Sequence, residues 1–521
     1  MSGKEQEKKK GGMKKQVKGI ICLSAVLAVL GGGFAYLKLT EPENEESSSS
    51  SELSYPDSSE GAGIRIVADS YEEGAPLGTV KTAKVKNSDG EMKIKMLEPA
   101  DEEAGTSAVY TLDGCDDLDV DTAMVGTLVN NGNGLESSAL IEENCKTPER
   151  FGLKEPQATV EFTYESGNVR KFYVGDKVPT GSGYYVMAEG NDTVYTAASS
   201  LLANYVKPLK DFIDSTILEK PEDDDMPRVD KLTIERDDID YDIVLEYDKN
   251  SEDSYSGGTS STHKMTSPVE TFLSGDRSGE VVTGMFGLSA KDIYAVHCKE
   301  SDIAEAGLSE PFCRVTMKCD NGKSYVLYLS ELFTDENGEK NCYAMMENGK
   351  VIYIVSESSA KWLTVKPEDI MSRIMIASYV WNVRDLNVKC SDGSSAGFTV
   401  TPIDKNKALK DSKAEDFKVT KNGEEFDSER YRKFYAFLIS ANAEELAMDV
   451  PVPEGEPMAE ITFKDSYDNK EYTYQFYDDS VMRALIAVNG EAKYYCTKSF
   501  VTTLIDNVKR LDTGEDYVTT W

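Results

Sequence analysis

Residues 151–205 read FGLKEPQATVEFTYESGNVRKFYVGDKVPTGSGYYVMAEGNDTVYTAASSLLANY, and the pattern returns twice further along the chain. From Gly307 the sequence is GLSEPFCRVTMKCDNGKSYVLYLSELFTDENGEKNCYAMMENGKVIYIVSESSAKWL, in which Gly307, Leu308, Glu310 and Pro311 answer Gly152, Leu153, Glu155 and Pro156. From Glu456 a third, blurred copy reads EPMAEITFKDSYDNKEYTYQFYDDSVMRALIAVNGEAKYYC. The chain thereby reduces to one unit used three times.

After each proline, apolar residues stand at every second position: Ala158, Val160, Phe162 and Tyr164; Cys313, Val315, Met317 and Cys319; Ala459, Ile461 and Phe463. That is the period of a half-buried strand. Turn signals follow at Glu165-Ser166-Gly167, Asp320-Asn321-Gly322 and Tyr467-Asp468-Asn469, then a second alternating run such as Tyr325, Leu327 and Leu329. The pattern predicts a hairpin. A further hairpin is predicted from Tyr184 to Tyr195 and from Cys342 to Tyr353, turning at Gly190-Asn191 and Asn348-Gly349. The offset between copies grows from 155 to 158 residues, so the middle loop of the second copy is longer by three. Each meander is expected to give way to a helix over the open face, clearest where Phe500, Leu504, Val508 and Leu511 recur at spacings of three and four. Proline at a strand entrance fixes φ and needs no ladder partner, and the glycine ahead of it permits a tight turn, so the Gly-Leu-x-Glu-Pro step is read as structural.

Residues 1–18 carry seven lysines against two glutamates and read as a basic cytoplasmic tail. Residues 19–37, GIICLSAVLAVLGGGFAYL, contain no charge. As a helix they reach about 28 Å, close to the thickness of a bilayer core, which predicts a transmembrane signal anchor. The positive-inside rule puts the N-terminus in the cytoplasm and the bulk of the chain outside. Cleavage after Ala35, with Gly33 two residues before it, is the competing expectation and would release a secreted protein. Cys22 stands at the start of the apolar run rather than after it, which argues against a lipid anchor. Residues 38–63 are expected to be a disordered serine-rich acidic spacer, in which the roughly 22 residues from Glu41 to Ala62 average about 25 Å end to end.

The remainder divides into repeat units at 64–220, 221–378 and 379–521, with boundaries near KPEDDDMPR (Lys220 to Arg228) and near Ala377 to Asn382. Each has a leading half before its meander. In the second it begins with a hairpin in VDKLTIERDDIDYDIVLEYD and passes a Ser/Gly loop at Tyr255 to Ser261. In the third, SERYRKFYAFLISANAEEL predicts a helix capped by Ser428, apolar at Tyr431, Tyr435, Leu438 and Ala441. The expected fold class is α+β: three repeated units, each an antiparallel β-meander with packed helices, after a single N-terminal transmembrane helix.

Lysine plus arginine number 57 against 93 acidic residues, a formal charge of −36. Such a surface repels polyphosphate backbones and excludes nucleic acid as a partner. No catalytic, cofactor-binding or metal-binding residue is identified, and no cofactor is expected. The only histidines are His263, in a Ser/Thr-rich loop, and His297, beside Cys298 at a strand end. Both read as packing or surface residues. Zinc and phosphate-loop motifs do not occur. Two acidic runs, Asp117-Leu118-Asp119-Val120-Asp121 and Asp238-Ile239-Asp240-Tyr241-Asp242, imitate calcium loops, yet the twelfth positions are Leu128 and Lys249 where a glutamate belongs. A glycosidase-type carboxylate pair could still lie among so many acids.

Eight cysteines follow the apolar segment. Cys313 and Cys319 share one strand face about 20 Å apart, and Cys342 is separated from Cys313 by an intervening strand at roughly 9.5 Å, beyond disulfide reach. These three are expected to be buried thiols, which leaves Cys115 with Cys145 as the pair best placed for a bridge.

The N-terminal apolar segment, the phrase RFGLKEPQATVEFTYESG, then VGDKVPTGSGYYVM and VYTAASSLL, together resemble the bacterial extracytoplasmic family catalogued as domain of unknown function 4340 (DUF4340). Cys145 to Ile217 carries the resemblance best. In the second unit AGLSEPFCRVTMKCDNGKSYVLYLS fits, while His263 to Pro268 looks like the family's upstream tryptophan-to-proline segment with the tryptophan lost. The third unit lacks the Gly-Leu step and joins through the internal repeat alone. The resemblance transfers no catalytic residue. It implies envelope or ABC-type transporter proteins as partners, because some relatives look like accessory proteins encoded with such transporters. The reading is a membrane-anchored extracytoplasmic binding or scaffold protein, not an enzyme. The alternatives are a cell-envelope hydrolase acting on wall glycan or peptide, and a solute-binding component.

Overall fold

The alternation in the sequence becomes an alternation of burial. Along Ala158–Tyr164, Cys313–Cys319 and Ala459–Asp465 every second side chain is buried, starting from the first. The computed structural model describes residues 61–67, 77–101 and 105–521. The anchor expected at residues 19–37 lies outside the described residues. Among those described, no helix is long and apolar enough to cross a membrane.

Every pair of strands described is antiparallel, and three large sheets of eight, ten and nine strands account for most of them. The first contains β1 (Val80–Asn87), β2 (Gly90–Glu98), β3 (Val109–Leu112), β4 (Ala139–Glu142), β5 (Ala158–Tyr164), β6 (Val169–Lys177), β7 (Gly183–Ala188) and β8 (Val194–Ala198), in the order β3-β2-β1-β5-β6-β7-β8-β4. The second contains β9 (Val229–Arg236), β10 (Ile243–Tyr247), β11 (His263–Ser267), β12 (Asp292–Val296), β13 (Cys313–Cys319), β14 (Ser324–Leu329), β15 (Lys340–Met346) and β16 (Val351–Ser356), ordered β11-β10-β9-β13-β14-β15-β16-β12. The third contains β17 (Val383–Cys390), β18 (Ser395–Pro402), β19 (Phe417–Lys421), β20 (Glu445–Leu446), β21 (Ala459–Asp465), β22 (Glu471–Asp478), β23 (Arg483–Val488) and β24 (Glu491–Thr497), ordered β19-β18-β17-β21-β22-β23-β24-β20. Short strands at Thr271–Phe272, Phe333–Thr334 and Glu424–Phe426 complete the second and third sheets.

In each sheet the leading strand pairs with the first meander strand, and apolar side chains face each other there: Val85 with Val160, Ile234 with Val315, Val388 with Ile461. A slip of one residue would turn these faces outward, so the pattern pins the register. Helices α1 (Thr122–Asn130), α2 (Gly275–Thr283) and α3 (Ser428–Leu438) lie between the third and fourth strands of their sheets, and α4 (Lys498–Thr513) follows β24. Buried residues from helices and strands form one apolar core running through all three sheets. Phe500, Leu504, Val508 and Leu511 of α4 are all buried in it, each contributing roughly 2 kcal/mol. Smaller clusters cover the opposite faces: Leu153 sits with Phe151 and Tyr185, and Leu308 with Met345 and Ile352. The Gly-Leu step seals this second face. Gly152 and Gly307 both take φ +70°, and a Cβ on Gly152 would come within 2.5 Å of the Asp176 side chain, so the turn requires glycine.

Several expectations are corrected. A multi-turn helix follows only the third meander. After the first come Ser199–Leu202 and two 3-10 turns, with Pro208 preventing continuation. Tyr205 fills the space, fully buried, its hydroxyl donating to the Leu128 carbonyl at 2.9 Å. After the second, buried Trp362 plays that part, donating to the Val281 carbonyl at 2.9 Å. The α3 cap is Asp427, whose side chain accepts from Arg430 N, rather than Ser428. That helix also ends at Leu438, and Glu445–Leu446, expected within it, forms β20 against β24. The longer middle loop of the second meander holds Phe333–Thr334, paired with Asn341 and Lys340. All eight described cysteines are free thiols. Burial pushes Cys313 and Cys342 up to about 12. Cys115 and Cys145 do not pair: one packs in the main core and the other in the Leu153 cluster.

Candidate functional site

The third sheet meets the second through the loop after β10. Asp248 opens this loop by accepting from Asn250 N, and Asp253 accepts from Tyr255 N, so two short polar side chains set its turns. Gly257 then passes the 377–382 linker at close range: with φ +93°, a Cβ there would stand 2.2 Å from the Ala377 carbonyl oxygen. The next residue, Gly258, donates its N–H to that same carbonyl at 2.8 Å. Asn382, which is buried, donates to the Tyr255 carbonyl at 2.6 Å, and the Tyr255 and Tyr379 rings meet edge to face at 5.2 Å. The loop is thus stapled to the linker by main chain, amide and ring.

Helix α3 supplies the facing wall. Its Tyr435 is buried and donates to the Ser378 carbonyl at 2.7 Å, and burial holds its phenol well above the ordinary range. Arg432 is half-exposed and paired with Glu429 at 2.8 Å. Between loop, linker and helix lies a cleft of about 660 Å³ whose lining includes Asp253, Ser254, Thr259, Ser260, Tyr379 and Arg432. Thr259 is held by donating to the Leu273 carbonyl at 2.8 Å. Ser251 Oγ, also in the lining, is buried without a partner. Hydroxyls donate and accept alike, and Val380, Trp381, Ala436 and Ile439 add an apolar wall, so the cleft matches a small ligand with an apolar face and hydroxyl or amide groups.

His263 is not in a loop but on β11, and it is buried. Its Nε2 lies 2.7 Å from the Val229 carbonyl and must donate, which leaves Nδ1 to accept from the Thr262 hydroxyl at 2.9 Å. Burial lowers its pKa and keeps the ring neutral, and its work is to fix Thr262 in the cleft wall. His297, at φ +48°, sits at the other joint, its Nε2 3.2 Å from Asp117. The acidic runs are dispersed into separate tasks. Asp121 caps α1 through Met124 N, Asp117 holds Lys350 and His297, and Asp238 pairs with buried Arg236. Among the described residues no group of three His, Cys, Asp or Glu side chains is placed to hold a metal ion. Arg432 and Tyr435 escaped sequence reasoning because α3 reads there as an ordinary amphipathic helix. The run of glycines and hydroxyls at 255–261 was the one signal available.

Residues 111–311 match the family described as Domain of unknown function (DUF4340). That stretch is similar to the DUF4340 family. It begins in β3 and ends at Pro311, just before β13, so the DUF4340 match takes the later part of the first sheet and the leading half of the second. It includes the whole hydroxyl-rich loop of the cleft, while α3 lies beyond it. No curated protein and no solved structure matches the chain.

Proposed function

We propose that the chain is a membrane-anchored, extracytoplasmic binding protein of a bacterial envelope, made of three copies of one unit, with the cleft between the second and third sheets as its ligand site. The observation that carries this reading is the stapled cleft, where a DUF4340 loop rich in hydroxyls faces a half-exposed arginine across about 660 Å³. A site built from side chains already fixed on main-chain carbonyls loses little entropy on binding. The common strand order of the three sheets supports the three-copy reading, and the uncharged run at residues 19–37 supports the anchor. An accessory role beside an ABC-type transporter fits a tethered solute binder.

A scaffold role has its own observation. At the β22–β23 hairpin tip, Val481 and Met482 are 87% and 76% exposed, an apolar pair that a protein partner would cover. The hydrolase alternative needs two carboxylates across one groove, and the lining of this cleft contributes Asp253.

The test is native mass spectrometry of the protein purified without denaturation, beside a Ser260→Trp variant whose indole fills the cleft. A bound small molecule in the wild type and none in the variant is the expected result. Equal loading of both would remove the cleft from the account. Protease added to intact protoplasts tests the topology separately, and digestion of the sheets is expected.

A further inference from the structure

Residues 514–521 do not end the fold as a loose tail. The chain leaves α4 at Gly514 with φ +79° and runs back, without strand pairing, along α3 and α4. Asn507 of α4, fully buried, turns its side-chain amide to the main chain of Val518: Oδ1 accepts from Val518 N at 2.8 Å and Nδ2 donates to Val518 O at 2.8 Å. Such a two-point contact reads an extended backbone whatever side chain it bears. Arg430 of α3 donates to the carbonyls of Arg510, Gly514 and Glu515 and lies 4.8 Å over the Tyr517 ring. Tyr517 packs on Phe434, and Trp521 packs edge-on against Phe437 and Phe500.

The segment fits its groove loosely. Tyr517 and Val518 are half-buried, while Glu515, Asp516, Thr519, Thr520 and Trp521 are exposed. A cleft of about 620 Å³ remains alongside, lined among others by Lys433, Phe437, Ser440, Tyr517 and Thr519. The Tyr517 hydroxyl is buried there with no hydrogen-bond partner. A backbone-reading amide, two aromatic seats and spare volume make a peptide site rather than a closed core.

We propose that the α3/α4 groove is a peptide-binding site and that residues 514–521 occupy it as a resident strap. An extended segment of another protein displaces the strap when it carries an aromatic residue, a β-branched residue next, and a second aromatic four positions after the first. The strap is held by a short connection at Gly514, so it competes at a high effective concentration and the groove opens only to a partner held nearby.

The experiment uses the labelled heptapeptide EDYVTTW, which copies residues 515–521, and fluorescence anisotropy. The full chain lacking 515–521 should bind it at least about ten-fold more tightly than the intact chain, because the strap no longer competes. Adding Asn507→Ala to the deletion should weaken binding about ten-fold, the share of one buried bidentate contact. A Tyr517→Ser/Trp521→Ser variant keeps the strap but removes its anchors, and it too should take up the peptide if the deletion fails to fold. A dimer of the intact chain that Asn507→Ala abolishes is the same groove filled by a second copy's strap, and overturns the assignment to a segment of another protein. A folded variant of either kind that ignores the peptide, or whose peptide binding is unchanged by Asn507→Ala, overturns it.

Discussion

The two joints between the sheets use different chemistry. Between the first and second sheets the side-chain contacts are exposed or half-exposed, Asp117 meeting Lys350 at 2.5 Å and His297 at 3.2 Å and Lys210 reaching Asp292 and the Ile293 carbonyl, beside a short main-chain ladder of Thr216–Leu218 on Leu288–Ser289. Between the second and third, buried side chains bind main-chain carbonyls: Tyr435 on Ser378, Asn382 on Tyr255 and Tyr474 on Met375. Water and salt screen the first kind, so it contributes little. A buried carbonyl that loses its donor suffers the full desolvation penalty. The side-chain contacts of the second joint are therefore the stronger ones, and it is the joint that carries the cleft. A preformed site needs walls whose geometry does not follow ionic conditions.

Gly257→Ala should show the largest effect. The new Cβ meets the Ala377 carbonyl at 2.2 Å and the backbone is held at φ +93°, so neither loop nor linker can relax without breaking the staple. A loss of about 3 kcal/mol is expected, read as a lower guanidinium midpoint, together with loss of ligand from the cleft. An unchanged midpoint would mean that the loop does not approach the linker so closely.

Tyr435→Phe comes next, at about 1 to 2 kcal/mol, because it strands the Ser378 carbonyl while leaving the ring in place. Asn382→Ala should behave alike in the same denaturation measurement. If Asp117→Asn costs as much as Tyr435→Phe, the ranking of the two joints is reversed.

Asp117→Asn should give the smallest effect, and its pH dependence has a definite sign. Lys350 first, then His297, hold the Asp117 carboxyl down from an ordinary 3.8 to about 2. A group depressed on folding stabilises above its unfolded value and stops doing so as pH falls through its folded value. Any difference in thermal midpoint between wild type and variant at pH 6 should therefore vanish between about pH 4 and pH 2, and shrink with added salt. A difference that persists at pH 2 would assign Asp117 another role.

The strands were legible because period-two burial is written directly in residues such as Val160, Val315 and Ile461, each wholly buried. The α4 helix was legible for the same reason at a period near 3.6. What replaced helices after the first two meanders was not, since Tyr205 and Trp362 fill space as single rings and leave no periodic trace. The Asp427 cap was missed because Asp427 and Ser428 are both good caps and only geometry separates them. The cleft was illegible for a different reason. Its walls come from positions 251–262, 377–381 and 432–439, and no local pattern relates a glycine loop to a helix face so far along the chain. His263 illustrates the limit: the Ser/Thr-rich surroundings read as a loop, while its ring lies buried on the Val229 carbonyl.

The central claim is that the cleft of the second joint binds a ligand outside the cytoplasm. Its most direct test is photo-crosslinking in intact cells, with a photoreactive residue placed at Ser260 in the cleft or at exposed Leu97 on the first sheet. Capture of one discrete adduct from position 260, absent from position 97 and lost with Gly257→Ala, is the predicted result. No adduct at position 260, or the same adducts from both positions, would contradict it.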